Sequence, residues 1–377
     1  DPVQRYDVIV IGAGIAGSSA AYALAKDSRV LVLEQFKFLH ALGSSHGGSR
    51  IFRYAYPERQ YVDMALAAER GWRELEGVVD DRLLTRRGGL DIGRAGSNEL
   101  AGIESALSSA GQSVERLGPS EVAARFPAFA LADEEEALYQ PDAGILAPTR
   151  SVNAFLRAAA QRGAVLRDEE PVVALDLAGG GVSVRTSQGT YVADRLVVTA
   201  GPWLGSLVAD LNLPLSVEQQ QVLYVRTSRP ADFTPTRMPI FINHDVRSAI
   251  YGFPLFDDPV AIKVSDHMGA PRIRLEERGS ELMRERAEET IRRARRLLPA
   301  LTSDMRAFDL CLYTKTPDEH FIMDRHPWHP QVVMGGGFSG HGFKFGPALG
   351  QVLRELSLGE KPSFDLSLFG LQRLLGQ

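Results

Sequence analysis

Near the start of the chain, the apolar run Val8-Ile9-Val10-Ile11 leads without a break into Gly12-Ala13-Gly14-Ile15-Ala16-Gly17, followed by the small-residue stretch Ser18-Ser19-Ala20-Ala21-Tyr22-Ala23-Leu24. A strand that enters Gly-x-Gly-x-x-Gly and continues as a helix aims backbone N–H groups at whatever leaves the turn, which is the chemistry of a pyrophosphate seat. Gly12 permits the tight turn, Gly14 lets the backbone approach phosphate oxygens, and Gly17 lets helix and strand pack closely. The second strand, Arg29-Val30-Leu31-Val32-Leu33, ends on Glu34. A carboxylate there can hold a ribose diol and would repel a 2′-phosphate, so NAD or FAD is expected and NADP is not.

Other reactive residues stand far from this seat. Cys311 is the single cysteine, which excludes an internal disulfide and a thiolate metal cluster. The lysines are Lys26, Lys37, Lys263, Lys315, Lys344 and Lys361, so those inside glycine-rich or aromatic strings draw attention, although genomic base composition would also favour arginine over lysine. The loop Gly43-Ser44-Ser45-His46-Gly47-Gly48-Ser49 leads into Arg50-Ile51-Phe52-Arg53. It can follow a flavin or its pyrophosphate, or be a surface loop with solvated arginines. The strand Leu196-Val197-Val198 stops at Thr199-Ala200-Gly201-Pro202-Trp203, where the backbone can approach a dinucleotide lying across strand ends. Two glycine-rich strand ends so far apart favour a long cofactor, FAD, with its ring system reaching into another domain. A third strand end, Val332-Val333-Met334, enters Gly335-Gly336-Gly337-Phe338-Ser339-Gly340-His341-Gly342-Phe343-Lys344 and a helix over 348–356. The helix start there could stabilise charge on a reduced flavin by about 1 kcal/mol. His326 and His329 form an H-x-x-H pair, but Pro327 breaks the helical geometry a metalloprotease would need, and no metal is expected.

These stretches must be positioned by more than one core. A chain of 377 residues suggests two domains, one inserted into the other, and 44% hydrophobic with 24% charged residues is an ordinary globular composition. A net charge of −5 gives no reason to expect nucleic acid or an anionic membrane surface as partner. No apolar run approaches the ~20 residues of a membrane span, and the early first strand leaves no room for a signal peptide, so a cytoplasmic protein is expected. The sequence pattern predicts helices over 62–76 and 151–163, short strands and helices over 83–92, 98–110 and 120–125, a hairpin over 137–146, and a meander of strands over 171–177, 182–186 and 191–198. Strands are predicted over 218–226 and within 240–267. Residues 276–298 read as a charged helix in which Arg292, Arg293, Arg295 and Arg296 share the helix with Glu281, Glu285, Glu288 and Glu289, a solvated face and not a nucleic-acid surface.

Taken together, these strings resemble the FAD-containing sarcosine oxidases of the monomeric type, with N-methyltryptophan oxidase and pipecolate oxidase. The resemblance spans essentially the whole chain. It is carried by Gly12–Gly17, by Gly43–Gly47 with Arg50–Arg53, by Tyr251-Gly252-Phe253-Pro254, and by Lys263 with His267. Its most specific parts are Cys311-Leu312-Tyr313-Thr314-Lys315-Thr316-Pro317-Asp318-Glu319 and Gly337–Lys344. It implies a mixed α/β and α+β architecture: a Rossmann-type FAD-binding domain (1–82, 149–215, 321–377) interleaved with an antiparallel-sheet substrate domain (83–148, 216–320), similar to glutathione reductase and p-hydroxybenzoate hydroxylase.

The resemblance further implies FAD held covalently through its 8α-methyl on Cys311. FAD contacts are expected from Gly12, Gly14, Ile15, Ala16 and Gly17 at the first turn, from Glu34 and Gln35, and from Ser44, Ser49 and Arg50. Val172, Ala200, Gly201 and Trp203 supply the strand ends, and Gly337, Gly340, His341, Gly342, Phe343 and Lys344 the closing loop. Arg53 and Lys344 would bind a substrate carboxylate, Lys263 would activate oxygen, and Arg50, His46, Tyr251, His267 and Tyr313 would complete the reacting centre. Three departures bear on substrate identity: Ser45 precedes His46 where histidine is common, Tyr54 replaces a frequent histidine, and Asp266 precedes His267 where an aromatic is usual. The segment Leu255-Phe256-Asp257-Asp258-Pro259 is also unusual.

The implied activity is oxidation of a secondary amino acid, sarcosine-like or pipecolate-like, to an imine, with molecular oxygen reduced to hydrogen peroxide by a monomeric enzyme. The main alternative is a flavin amine dehydrogenase that feeds a quinone or partner protein. An aromatic hydroxylase would not use a carboxylate clamp, and a non-catalytic flavin module would not need four basic or tyrosine groups aimed at one pocket.

Overall fold

The structure, a computed structural model, describes residues 4–375. Its first sheet is built on parallel strands. Gln4–Ile11 lies between Val30–Leu33 and Thr190–Val198, Val165–Arg167 extends one side, and Val332–Gly336 extends the other beyond Thr190–Val198. Ile322–Arg325 runs antiparallel to Val332–Gly336, and Val172–Asp176 with Val182–Thr186 forms a hairpin on Thr190–Val198.

The central strand is buried on both faces, as a continuous Val/Ile run requires: Val8 and Val10 point into one core, Ile9 and Ile11 into another. Helices Ile15–Leu24, Arg59–Val79, Pro148–Gln161 and Gly346–Leu358 cover the first of these faces. Small residues set their spacing, since a Cβ on Gly350 would lie 2.6 Å from the backbone of Ser19.

The second sheet is mostly antiparallel. Its longest pair joins Ser216–Thr227 to Leu301–Lys315, with Gln220 opposite Cys311 and Tyr224 opposite Ala307. From Ser216–Thr227 the order runs through Ala261–Asp266, Ile250–Gly252, Ile240–Asn243, Gly89–Arg94 and Glu135–Gln140 to Glu115–Leu117. The helix Arg284–Leu297 packs on this sheet. It starts eight residues later than the charged helix expected from residue 276, because Leu275–Glu277 forms a separate 3₁₀ turn. Gln219 and Gln221 side chains then hold the Gly279 and Met283 backbones away from a helical path.

The expected hairpin over 137–146 does not form. Glu135–Gln140 stays in the second sheet, whereas Gly144–Leu146 leaves it to pair with Arg50–Phe52 and Leu84–Arg86 in a third, three-stranded sheet. Gly144 makes the departure possible, since a Cβ there would meet the Thr85 carbonyl oxygen at 2.2 Å. No helix among the described residues is long and apolar enough to cross a membrane.

Candidate active site

The parallel strands end on one edge of their sheet, and so bring Gly12, Glu34, Ala200 and Gly337 to the rim of a single cavity of about 680 Å³. That is the edge where open α/β sheets bind ligands. Gly12 has φ +92, and a Cβ there would lie 2.3 Å from the Thr199 carbonyl oxygen, so only glycine fits. Gly14 caps the helix without a side chain, and Ile15 N–H donates to Ser45 Oγ at 3.1 Å. Glu34 accepts from the N–H groups of Ala13 and Phe36, each at 3.0 Å, with His40 at 3.5 Å. Burial pushes its carboxyl up, but His40 and the two N–H donors outweigh this and leave it below its usual range. Ile15, Ala16, Gln35, Val172, Gly201 and Trp203 complete this end of the wall.

At the other end the cavity passes between the two sheets. Ser44 Oγ donates to the Leu312 carbonyl and Leu312 N–H to that of Gly43, so the loop of residues 43–50 is strapped to the strand that carries Cys311. Arg50 turns back on the loop, donating to the carbonyls of Ser49 (2.9 Å) and Ser44 (3.2 Å). Lys263 is 2% exposed, and its Nζ donates to the Ser49 carbonyl at 2.9 Å and Ser49 Oγ at 3.2 Å. Burial, with Arg50 nearby, brings the ammonium down to about 7. The Cys311 thiol is pushed up by burial against the pull of Arg50 and Lys263. The hydroxyls of Tyr251 and Tyr313 stand 3.5 Å apart, and the His267 ring lies edge-on to Tyr251. Burial, then His244 and Arg53, lower His267 to about 4, so its imidazole is neutral at neutral pH. Gly340, at φ +83, makes room for Tyr313, whose ring a Cβ would strike at 2.4 Å.

Arg53 and Lys344, 291 positions apart in the sequence, meet at Tyr56. The Arg53 guanidinium carbon lies 4.4 Å from the centre of the Tyr56 ring, and Lys344 Nζ donates to the Tyr56 hydroxyl at 2.9 Å. Proton directions follow. His341 Nε2 faces the Glu319 carbonyl at 2.9 Å and must carry the hydrogen, so Nδ1 accepts from Tyr56 at 3.1 Å. Burial and Lys344 lower His341 to about 3, which keeps it neutral. Burial and Arg53 together hold the Lys344 ammonium well below its usual range. Arg53 keeps its charge because Asp91, at 3.2 Å, outweighs burial. Arg53 Nε is buried without a partner, a donor left for a ligand. Gly342, Phe343 and Gly337 line the same wall.

Not every residue singled out in the sequence reaches this cavity. Gly17 lies behind it, where a Cβ would sit 1.7 Å from the Gly12 carbonyl oxygen; it is a packing glycine, not a contact. Ser49 is fully buried behind Lys263. His46, expected in the reacting group, does not line the cavity: its Nε2 faces the Leu310 carbonyl at 3.0 Å and Asp309 at 3.5 Å, which braces the strand that carries Cys311. Asp266 also turns away, to Arg293 and Arg286 on the helix Arg284–Leu297, and does not face a substrate. His326 and His329 are joined by Asp210, whose Oδ2 is 2.9 Å from His326 Nε2, a neighbour the H-x-x-H spacing does not reveal.

Sequence reasoning also missed Tyr56, Asp91 and His244. Asp91 Oδ1 takes both Arg53 and His244 Nε2, the latter at 2.7 Å. A carboxylate in the otherwise apolar run Gly89-Leu90-Asp91-Ile92 was the available signal.

A dinucleotide seat opening into a chamber of tyrosines and cations defines a redox enzyme of the dinucleotide-cofactor class. The chain belongs to the FAD-dependent oxidoreductase family, which it matches over residues 7–356. It is 36% identical to the monomeric sarcosine oxidase of Streptomyces avermitilis, over 98% of both chains. To the peroxisomal sarcosine oxidase of Homo sapiens it is 37% identical, over 98% of this chain and 96% of that one. Its fold superposes on the amino acid oxidase NikD with a TM-score of 0.85 at 25% identity, covering 98% of each. The residues fit FAD: a positive-φ turn that only glycine can make, a helix start without a side-chain cap and a carboxylate at the ribose position all open onto one cavity.

Proposed function

We propose that the protein oxidises the C–H bond beside the nitrogen of a secondary amino acid, N-methylated or cyclic, with molecular oxygen as electron acceptor. The observation that carries this reading is the convergence of Arg53 and Lys344 on Tyr56, in the cavity that also holds Cys311 and Lys263. An arginine that can bind in bidentate fashion and a lysine whose ammonium a bound anion would favour together suit a carboxylate. The names of the relatives support the same class, since sarcosine is an N-methyl amino acid.

FAD bound here, with Cys311 as the residue that would attach it covalently, would supply the two-electron acceptor, and oxygen would take up the electrons. The protein's own groups do the rest. Arg53 and Lys344 hold the carboxylate and so fix which C–H bond faces the cavity wall. The amine must be neutral for its lone pair to assist C–H cleavage, and each unit by which its pKa falls is worth ~1.4 kcal/mol. Arg50, Arg53 and the protonated fraction of Lys263 press in that direction, while His267 and His341, neutral at neutral pH, add no further positive charge. Tyr251 and Tyr313, whose pKa values burial raises, keep their hydroxyl protons and remain available as hydrogen-bond donors. Arg50 and Lys263 would stabilise negative charge arising during oxygen reduction.

Segments 1–82, 149–215 and 321–377 would then serve the cofactor, and 83–148 with 216–320 the substrate. A monomer accords with the name of the Streptomyces relative, and a cytoplasmic site with a chain whose one cysteine forms no disulfide. Oxygen uptake with sarcosine, pipecolate and N-methyl amino acids, followed together with peroxide, tests the reading. One peroxide per oxygen is expected. Turnover with a quinone or dye but no oxygen uptake would make it a dehydrogenase instead.

A further inference from the structure

Behind Lys263 lies a carboxylate that this chemistry does not use. Asp257 is in the loop between strands Ile250–Gly252 and Ala261–Asp266, within the segment that departs from the resemblance noted above. Its Oδ2 accepts from Ser49 Oγ at 3.0 Å and from the Tyr224 hydroxyl at 2.9 Å, while Ser49 Oγ accepts from Lys263 Nζ at 3.2 Å. The hydrogens run one way: Lys263 donates to the Ser49 hydroxyl, whose single proton goes to Asp257, and Tyr224 donates to the same oxygen. Asp257 Oδ1 is buried and has no partner. The close approach depends on Gly48, where a Cβ would sit 2.6 Å from the Cβ of Asp257.

The charged groups around Lys263 are few. Arg50 opposes its charge; Asp257, Cys311 and Asp309 favour it; Phe253 offers a ring face 4.9 Å away. Cys311 carries no charge once its sulfur is a thioether, and Asp309 is half exposed and faces His46 at 3.5 Å. Asp257 is therefore the buried-side anion that balances Arg50.

We infer that Asp257 is the positioning residue of Lys263: through the Ser49 hydroxyl its carboxylate fixes the amine against the cavity wall and holds a proton on it. The inference rests on the reading of Lys263 as the cation that serves oxygen. It adds a residue outside the cavity whose charge sets the protonation of one inside.

The six lysines of the chain make a direct test possible. In holoenzyme carrying ¹³Cε-labelled lysine, the Lys263 resonance, assigned by its loss in Lys263→Met, should titrate near 7 in wild type. In Asp257→Asn, which keeps the size of the side chain, the midpoint should fall by about one pH unit, and Asp257→Glu should recover part of the shift. Ser49→Ala, with the carboxylate retained, should also lower it, and reads the same titration if Asp257→Asn does not fold. An unchanged midpoint in both variants overturns the inference. In stopped flow at pH 7, Asp257→Asn should slow reoxidation about fivefold, the loss of protonated Lys263 that a one-unit fall brings at that pH, and leave anaerobic reduction within about twofold of wild type. Equal slowing of both steps would assign Asp257 a merely structural role. If Lys263→Met itself slows both steps equally while the titration shift stands, the oxygen-side reading fails and the Asp257–Lys263 coupling survives.

Discussion

Asp91 Oδ1 lies 3.2 Å from Nη1 of Arg53, so the arginine proposed to grip a substrate carboxylate already holds a carboxylate from its own chain. Both are buried, and Asp91 also takes His244 at 2.7 Å. Burial pushes the Asp91 carboxyl up, but Arg53 and His244 outweigh it and keep Asp91 ionised. Asp91 sets the guanidinium in place, and the unpartnered Nε leaves an edge of the fork for a ligand.

Removing one partner of such a pair leaves an uncompensated buried charge. Arg53→Ala should therefore lower stability by about 3 kcal/mol or more in denaturant unfolding. Arg53→Ala with Asp91→Asn should regain most of that loss, because no bare carboxylate remains. Carboxylate inhibitors, titrated by the flavin spectrum, should stay weaker by on the order of 10²-fold in both variants. Restored inhibitor binding in the double variant would show that Arg53 is not the clamp.

Lys344 gives a pH-linked outcome. Burial and Arg53 disfavour its ammonium in the free site, and an anion bound beside it favours the ammonium, so ligand binding should take up a proton. Calorimetry of a carboxylate inhibitor at pH 8 in buffers of different ionisation enthalpy should report uptake of a fraction of a proton. The uptake should vanish in Lys344→Met, and a wild type with no uptake would mean that the ligand's charge is met by Arg53 alone.

Much of this site was legible in the sequence because its parts are local. Gly12, Gly14 and Gly17 answer to one turn, and Gly337–Lys344 to another. What could not be read was the pairing across segments: Asp91 with Arg53, Tyr56 with Lys344 and His341, and Asp257 with Ser49. Each joins residues whose separation carries no periodicity. The family resemblance placed His46 in the reacting group, yet its ring turns to the Leu310 carbonyl, an orientation fixed by the register of Leu301–Lys315 against Ser216–Thr227. The helix end at Arg284 was hidden for the same reason, since Gln219 and Gln221 act from a strand some 60 residues away.

Cys311 should carry the flavin. Acid precipitation should leave yellow colour in the wild-type pellet and none in that of Cys311→Ser, whose flavin should be released into the supernatant. A colourless wild-type pellet would reduce Cys311 to a half-buried thiol packed beside Lys263 and Arg50.

The oxygen step should weaken as pH rises. Lys263 is protonated below about 7 and neutral above it, so the second-order rate constant for flavin reoxidation should fall as pH increases through that value. In Lys263→Met the reoxidation rate should be low and flat over the same range. A wild-type rate that rises with pH would contradict the assignment.

The central claim is that the cavity oxidises an amino acid held by its carboxylate, and anaerobic bleaching of the flavin absorbance tests it most directly. Sarcosine, pipecolate, proline and larger N-methyl amino acids are each compared with the corresponding amine that lacks the carboxylate. The account predicts bleaching by at least one secondary amino acid, with its decarboxylated counterpart slower by on the order of 10²-fold, about 3 kcal/mol of lost transition-state binding. Bleaching at equal rates by an amino acid and its plain amine, or by no amine at all, would contradict it.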